Sequence, residues 1–97
     1  MNESLTLFNS KGKFKILKIL FEEDEINISA LIRKTRISYK FMERYLLELE
    51  GKGIIRQKRF GKIRIISLED NGLTRVLKEF FLTLEKIEKE DYAKGYV

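Results

Sequence analysis

The stretch from Ile28 to Leu68 most constrains what this chain can fold into. Apolar residues at helical spacing first give a short helix, with Leu31 and Ile32 turned inwards. A tight turn around Ile37 leads into a second amphipathic helix from Tyr39 to about Gly51. Two Ile-rich segments then follow, Ile54 to Phe60 and Ile63 to Leu68, joined near Gly61-Lys62 as a two-residue hairpin. Short helix, turn, amphipathic helix and basic hairpin, in that order, leave few architectures open.

The same stretch holds most of the positive charge. From Arg33 to Arg64 there are eleven Lys and Arg against three Glu, a local balance of +8. The whole chain carries only +5, so everything outside sums to −3. A local excess of this kind is the footprint of a polyanion-binding face, with double-stranded DNA the first partner to consider.

The remaining segments frame this one. Ser10 caps a helix to about Glu22, with Phe14, Leu17 and Phe21 forming a stripe beside Ile16 and Leu20. Glu22 to Glu25 reads as a solvated exit turn, and Ile26 to Ile28 as a single bridge to the hairpin. Ser29 is the expected cap of the short helix, and Ser38 that of the second. Asp70 or Asn71 opens a long last helix, from about Gly72 to Glu90. The chain thus divides into an arm or helix extension (1–9), a folded domain (10–68), a terminal helix (69–91) and a tail (92–97). Ninety-seven residues suffice for one modest core.

Composition removes whole classes of chemistry. With no Cys and no His, disulfides, thiolate or imidazole metal sites and His-dependent triads are excluded. No cofactor, metal or catalytic site is expected, and the chain does not read as an enzyme. No apolar run approaches the ~18 residues needed to span a bilayer, and no secretory leader is legible, so a cytoplasmic location is expected.

Helical geometry sorts the second helix. With Met42 at zero and about 100° per residue, Leu46 and Leu49 share its buried face, while Lys40 and Arg44 fall together near 160° and 200°. That outward pair, close to the helix start, suits contact with a DNA major groove. Tyr39 is read as touching phosphate or base. Phe41 either meets a thymine methyl or packs on a neighbouring element. Glu43 is expected to pair with Lys40 or Lys52, and Glu48 with Arg44 or Lys52. Arg59 and Lys62 sit at or beside the hairpin tip, with Arg56, Lys58 and Arg64 carrying charge along it. In the last helix Leu73, Leu77, Phe80, Leu84 and Ile87 are spaced 4, 3, 4, 3, a heptad seam suited to self-association. Val76 and Phe81 flank the seam as anchors to the domain.

The words SALIRKTRISYKFMERYLLELEGKGII and RFGKIRIISL resemble winged helix-turn-helix transcriptional regulators, especially small archaeal and archaeal-virus ones. The likeness covers about Lys13 to Leu68. It implies an α+β, mainly α fold: three core helices, a hairpin wing and a long C-terminal helix. It also implies Ser38, Tyr39, Lys40, Phe41 and Arg44 in the major groove, with Arg59 and Lys62 on the wing. The last helix resembles relatives that form homodimers through an antiparallel coiled coil. Metal-sensing relatives use Cys and His ligands, which are absent here. Ligand-sensing relatives have a pocket at the dimer junction. The function so implied is sequence-specific regulation of transcription. The alternatives are an architectural, weakly selective DNA coater and a winged helix used as a protein-interaction module.

Overall fold

Each helix among the described residues opens on a short polar side chain that closes its free N–H groups. The computed structural model describes residues 7–93, and side chains through residue 90. Helix α1 (Lys11–Glu23) is capped by Ser10, whose hydroxyl accepts from the Lys13 N–H at 3.2 Å. Helix α2 (Ile28–Thr35) starts two residues earlier than expected, and its cap is Asn27 rather than Ser29: the Asn27 side chain accepts from the Ser29 N–H at 2.7 Å. Helix α3 (Tyr39–Gly51) is capped by Ser38, as read from the sequence, through the Phe41 N–H at 3.2 Å. Each such cap contributes about 1 kcal/mol. Helix α4 (Gly72–Ala93) begins with a reciprocal pair. Asn71 Oδ1 accepts from the Thr74 N–H, and Thr74 Oγ1 accepts from the Asn71 N–H.

Three strands complete the fold: β1 (Glu25–Asn27), β2 (Ile55–Phe60) and β3 (Ile63–Leu68). They form an antiparallel sheet in the order β1-β3-β2. The bridge expected near Ile26 is therefore a short strand, paired to β3 from Glu25↔Ser67 to Asn27↔Ile65. The acidic run is not simply solvated. Glu23 meets Lys34, Asp24 meets Lys78, and Glu25 accepts from the Ser67 hydroxyl. Gly61 turns the hairpin at φ 60° and Gly53 leaves α3 at φ 75°, both in the left-handed region that glycine occupies without strain. The Gly53 carbonyl accepts from Asn71 Nδ2 at 2.8 Å, which fastens the start of α4 to the end of α3.

The core joins Ile16, Leu17 and Leu20 of α1, Leu31 of α2, Met42, Leu46 and Leu49 of α3, and Ile54, Ile55 and Ile66 of the sheet. Burial of each such side chain stabilises the fold by ~1.5–3 kcal/mol. Phe81 anchors α4, with its ring 5.4 Å from both Phe14 and Phe21. Val76, expected beside it, points to solvent at 66% exposure, and Leu77 turns into the core at 8%. Ahead of α1, Leu7 and Phe8 pack on their own domain: Tyr45 donates its hydroxyl to the Leu7 carbonyl, and Phe8 stacks on Phe80. They neither extend α1 nor leave the domain as an arm, and Leu5 lies outside the described residues.

Candidate nucleic-acid interface

Helix α3 divides into four faces, and each has a different neighbour. Met42, Tyr45, Leu46 and Leu49 are buried in the core. Phe41 and Glu48 look towards α1. The Phe41 ring lies over Gly12, where an added Cβ would sit 3.4 Å from two ring carbons. Glu48 meets Lys13 at 3.4 Å and Lys52 at 3.6 Å. Phe41 is therefore half-buried, the packed reading of the two open from sequence. Tyr39 and Glu43 look towards the wing. Lys40 and Arg44 remain on the outer face, exposed and without an ion pair among the described residues.

The wing cations split into two groups. Lys58, Arg59 and Lys62 are exposed and make no ion pair among the described residues. Arg56 and Arg64, read as charge carried along the hairpin, are committed internally. Arg56 binds the Glu69 carboxylate at 2.8 Å and the Leu68 carbonyl at 3.1 Å. Arg64 is 5% exposed and clamps Glu43 with both terminal nitrogens. Glu43 thus pairs across to the wing rather than with Lys40 or Lys52. The Arg64 hydrogen bonds hold its carboxyl below the usual glutamate range, against the opposing effect of burial. The same bonds hold the guanidinium more firmly charged.

Tyr39 completes this arrangement. Its hydroxyl donates to Glu43 Oε2 at 2.9 Å, and its ring lies 6.0 Å beneath the Arg64 guanidinium. Next to the pair is a cavity of about 310 Å³ lined by Glu43, Leu47, Glu50, Gln57, Arg59 and Arg64. Pairing between the helix and a strand 21 residues later leaves no local trace in sequence. Arg36, in the turn between α2 and α3, is also exposed and makes no ion pair among the described residues.

On α4 the exposed apolar side chains are Leu73, Val76, Phe80, Leu82 and Ile87, with Leu84 partly covered. A shallow groove runs along Val76, Phe80, Thr83, Leu84 and Ile87. Among the described residues no helix is long and apolar enough to cross a membrane, and no acidic side chains converge into a metal site.

Comparison with known proteins agrees with this geometry at the level of fold. No family model matches the chain. It is 31% identical over 88 residues to an uncharacterized HTH-type transcriptional regulator of Bacillus subtilis, YdgJ, covering 88% of this chain and 50% of that protein. The chain therefore spans half the length of the curated relative it matches. Among solved structures, HlyU from Vibrio cholerae superposes with a TM-score of 0.69 at 15% identity, covering 87% of this chain and 97% of that one. The MarR family transcriptional regulator SPO1453 from Silicibacter pomeroyi gives 0.69 at 15% identity, covering 96% and 67%. The fold is that of winged-helix transcriptional regulators.

Proposed function

We propose that this chain is a sequence-specific, double-stranded DNA-binding regulator of transcription that acts as a homodimer. The observation that carries the reading is the separation of its cations. Lys40 and Arg44 on the outer face of α3 and Lys58, Arg59 and Lys62 on the wing make no ion pair among the described residues, whereas Arg56 and Arg64 are paired with Glu69 and Glu43. Free cations grouped on a helix and an adjacent hairpin match the chemistry of a duplex, whose groove edges lie between two phosphate backbones. Lys40 and Arg44 enter the major groove, Ser38 and Tyr39 stand at the helix start, and Arg59 and Lys62 hold the flanking backbone. Phe41 supports α3 from behind by its packing on α1.

Two copies join through α4. Leu73, Val76, Phe80, Leu84 and Ile87 form the contact stripe, with Val76 in the place first read for Leu77. A two-fold dimer presents its recognition helices to successive major grooves about 34 Å apart. Binding then blocks or recruits the transcription machinery sterically.

The reading is tested by selecting sites from random duplex DNA and titrating each against its scrambled version by fluorescence anisotropy at several salt concentrations. A selected site bound at least ~10³-fold tighter than its scramble is the expected result. Lys40→Ala or Arg44→Ala should weaken the selected site by ~1–3 kcal/mol, while Lys62→Ala weakens all sequences alike. Equal binding with the same steep salt slope would instead describe an architectural coater. No binding at low salt would remove DNA as the partner.

A further inference from the structure

We infer that Tyr39 reads one base per half-site as a hydrogen-bond acceptor only, favouring a base that presents an exocyclic amine, adenine or cytosine, over guanine or thymine. The inference rests on the DNA-binding reading above and specifies what one residue of that surface recognises.

Arg64 sets the direction of the Tyr39 hydrogen bond. Its guanidinium is buried on β3 and holds both carboxylate oxygens of Glu43. A carboxylate held in this way carries no proton, in keeping with its lowered pKa. The 2.9 Å contact between the Tyr39 hydroxyl and Glu43 Oε2 can therefore have only one polarity: the phenol donates and the carboxylate accepts. The single hydroxyl proton is used, and what the phenol oxygen can still offer, beyond its bond with Arg64, is acceptor capacity alone.

Tyr39 is 56% exposed at the first position of α3, so that capacity is accessible. Donation to Glu43 polarises the hydroxyl towards accepting, while the Arg64 guanidinium over the ring also bonds the phenol oxygen and takes part of its acceptor capacity. Phosphate oxygens accept and do not donate, so the phenol cannot hold a phosphate without abandoning Glu43. In the major groove the donors are adenine N6 and cytosine N4, whereas guanine offers N7 and O6 and thymine offers O4, all acceptors. Glu43 and Arg64 touch no DNA in this scheme. They are positioning residues that set the direction of one hydrogen bond.

The test uses the full chain and its selected duplex. Adenines are replaced one at a time by purine, which lacks the N6 amine, and cytosines by 2-pyrimidinone, which lacks the N4 amine. At one base in each half-site the wild type should lose roughly 3- to 10-fold, the range of a single neutral hydrogen bond. Tyr39→Phe, which keeps the ring, should show no further loss there, and which analogue produces the effect separates adenine from cytosine. A Tyr39→Phe protein that keeps every amine penalty overturns the inference. So does one that instead loses sensitivity to a methylphosphonate at a single phosphate.

A second variant tests the polarity itself. Glu43→Met with Arg64→Met releases the hydroxyl to donate or accept. Rejection of guanine or thymine at that base should then fall to within about threefold of the preferred base, a distinction as small as a weak hydrogen bond; unchanged rejection counts against the mechanism. Failure of the regulator reading is separable, because it appears in the first titration as equal binding of site and scramble, and it takes this inference with it. Selective binding with an indifferent Tyr39→Phe sinks the inference alone.

Discussion

Removing Glu43 should harm this fold more than removing Arg64, although the two form one ion pair. In Glu43→Ala the Arg64 guanidinium, 5% exposed in the wild type, loses both of its hydrogen bonds to Glu43 and already has an Nε without a partner. Taking one partner from a buried pair costs about 3–5 kcal/mol. The Glu43 side chain is 33% exposed and a cavity adjoins the pair, so water reaches the site and the lower end, about 3 kcal/mol, applies. In Arg64→Ala the surviving carboxylate keeps the Tyr39 hydroxyl and turns to solvent, so the cost falls to ~1–2 kcal/mol of lost packing and hydrogen bonding. Replacing both by Met returns stability to within ~1 kcal/mol of wild type. With ~2.1 cal/mol/K of unfolding entropy per residue, a chain of this length changes Tm by about 15 °C for 3 kcal/mol. Thermal and urea unfolding followed by circular dichroism, at one fixed protomer concentration, measures the series. Equal losses in the two single variants, or a double variant as unstable as Glu43→Ala, would refute the view that a buried, unpaired cation dominates the cost.

Three further outcomes are expected. The Glu43 contribution is complete above its unfolded-state pKa and fades as pH falls through the lower folded value. Acid titration below about pH 4.3 should therefore destabilise the wild type relative to the Glu43→Met/Arg64→Met protein. On α4, Val76→Lys and Ile87→Lys alter exposed side chains, so sedimentation equilibrium should report an 11.6 kDa monomer with an unchanged circular dichroism spectrum. Gly12→Ala adds a methyl 3.4 Å from the Phe41 ring and 3.6 Å from Ile37 Cδ1, ordinary contact distances. It should raise stability by ~0.5 kcal/mol through reduced backbone freedom, visible as a Tm increase of ~2–3 °C.

Local features of the fold were legible and long-range pairings were not. Ser10, Ser38 and Asn71 announce their helices because capping needs only a residue type ahead of an apolar period. The hairpin turn at Gly61-Lys62 is equally local. Strand β3 was harder, since Ile63, Arg64, Ile65 and Ile66 supply an Ile to either face. The fold buries Ile66, so Arg64, two residues away, turns inward with it. Charge counting treated Arg64 as surface because the carboxylate that neutralises it belongs to another element. Leu77 and Val76 show the same limit: both fit a helical stripe, and only the position of α1 decides which is covered. Of the seven residues placed on the DNA face from sequence, Ser38, Tyr39, Lys40, Arg44, Arg59 and Lys62 are exposed and Phe41 is half-buried.

The contact at Leu7 and Phe8 has a mechanical consequence. One residue's carbonyl is held by Tyr45 on α3, and the next residue's ring rests on Phe80 of α4. Two adjacent residues thus clasp α3 to the proposed dimer arm. From Phe80 to its end α4 runs about 20 Å, so a 5° tilt at that clasp sweeps the far end by roughly 1.7 Å. One base-pair step is about 3.4 Å, so in the proposed dimer, where both copies tilt, the packing of two phenylalanine rings would set the separation of the half-sites.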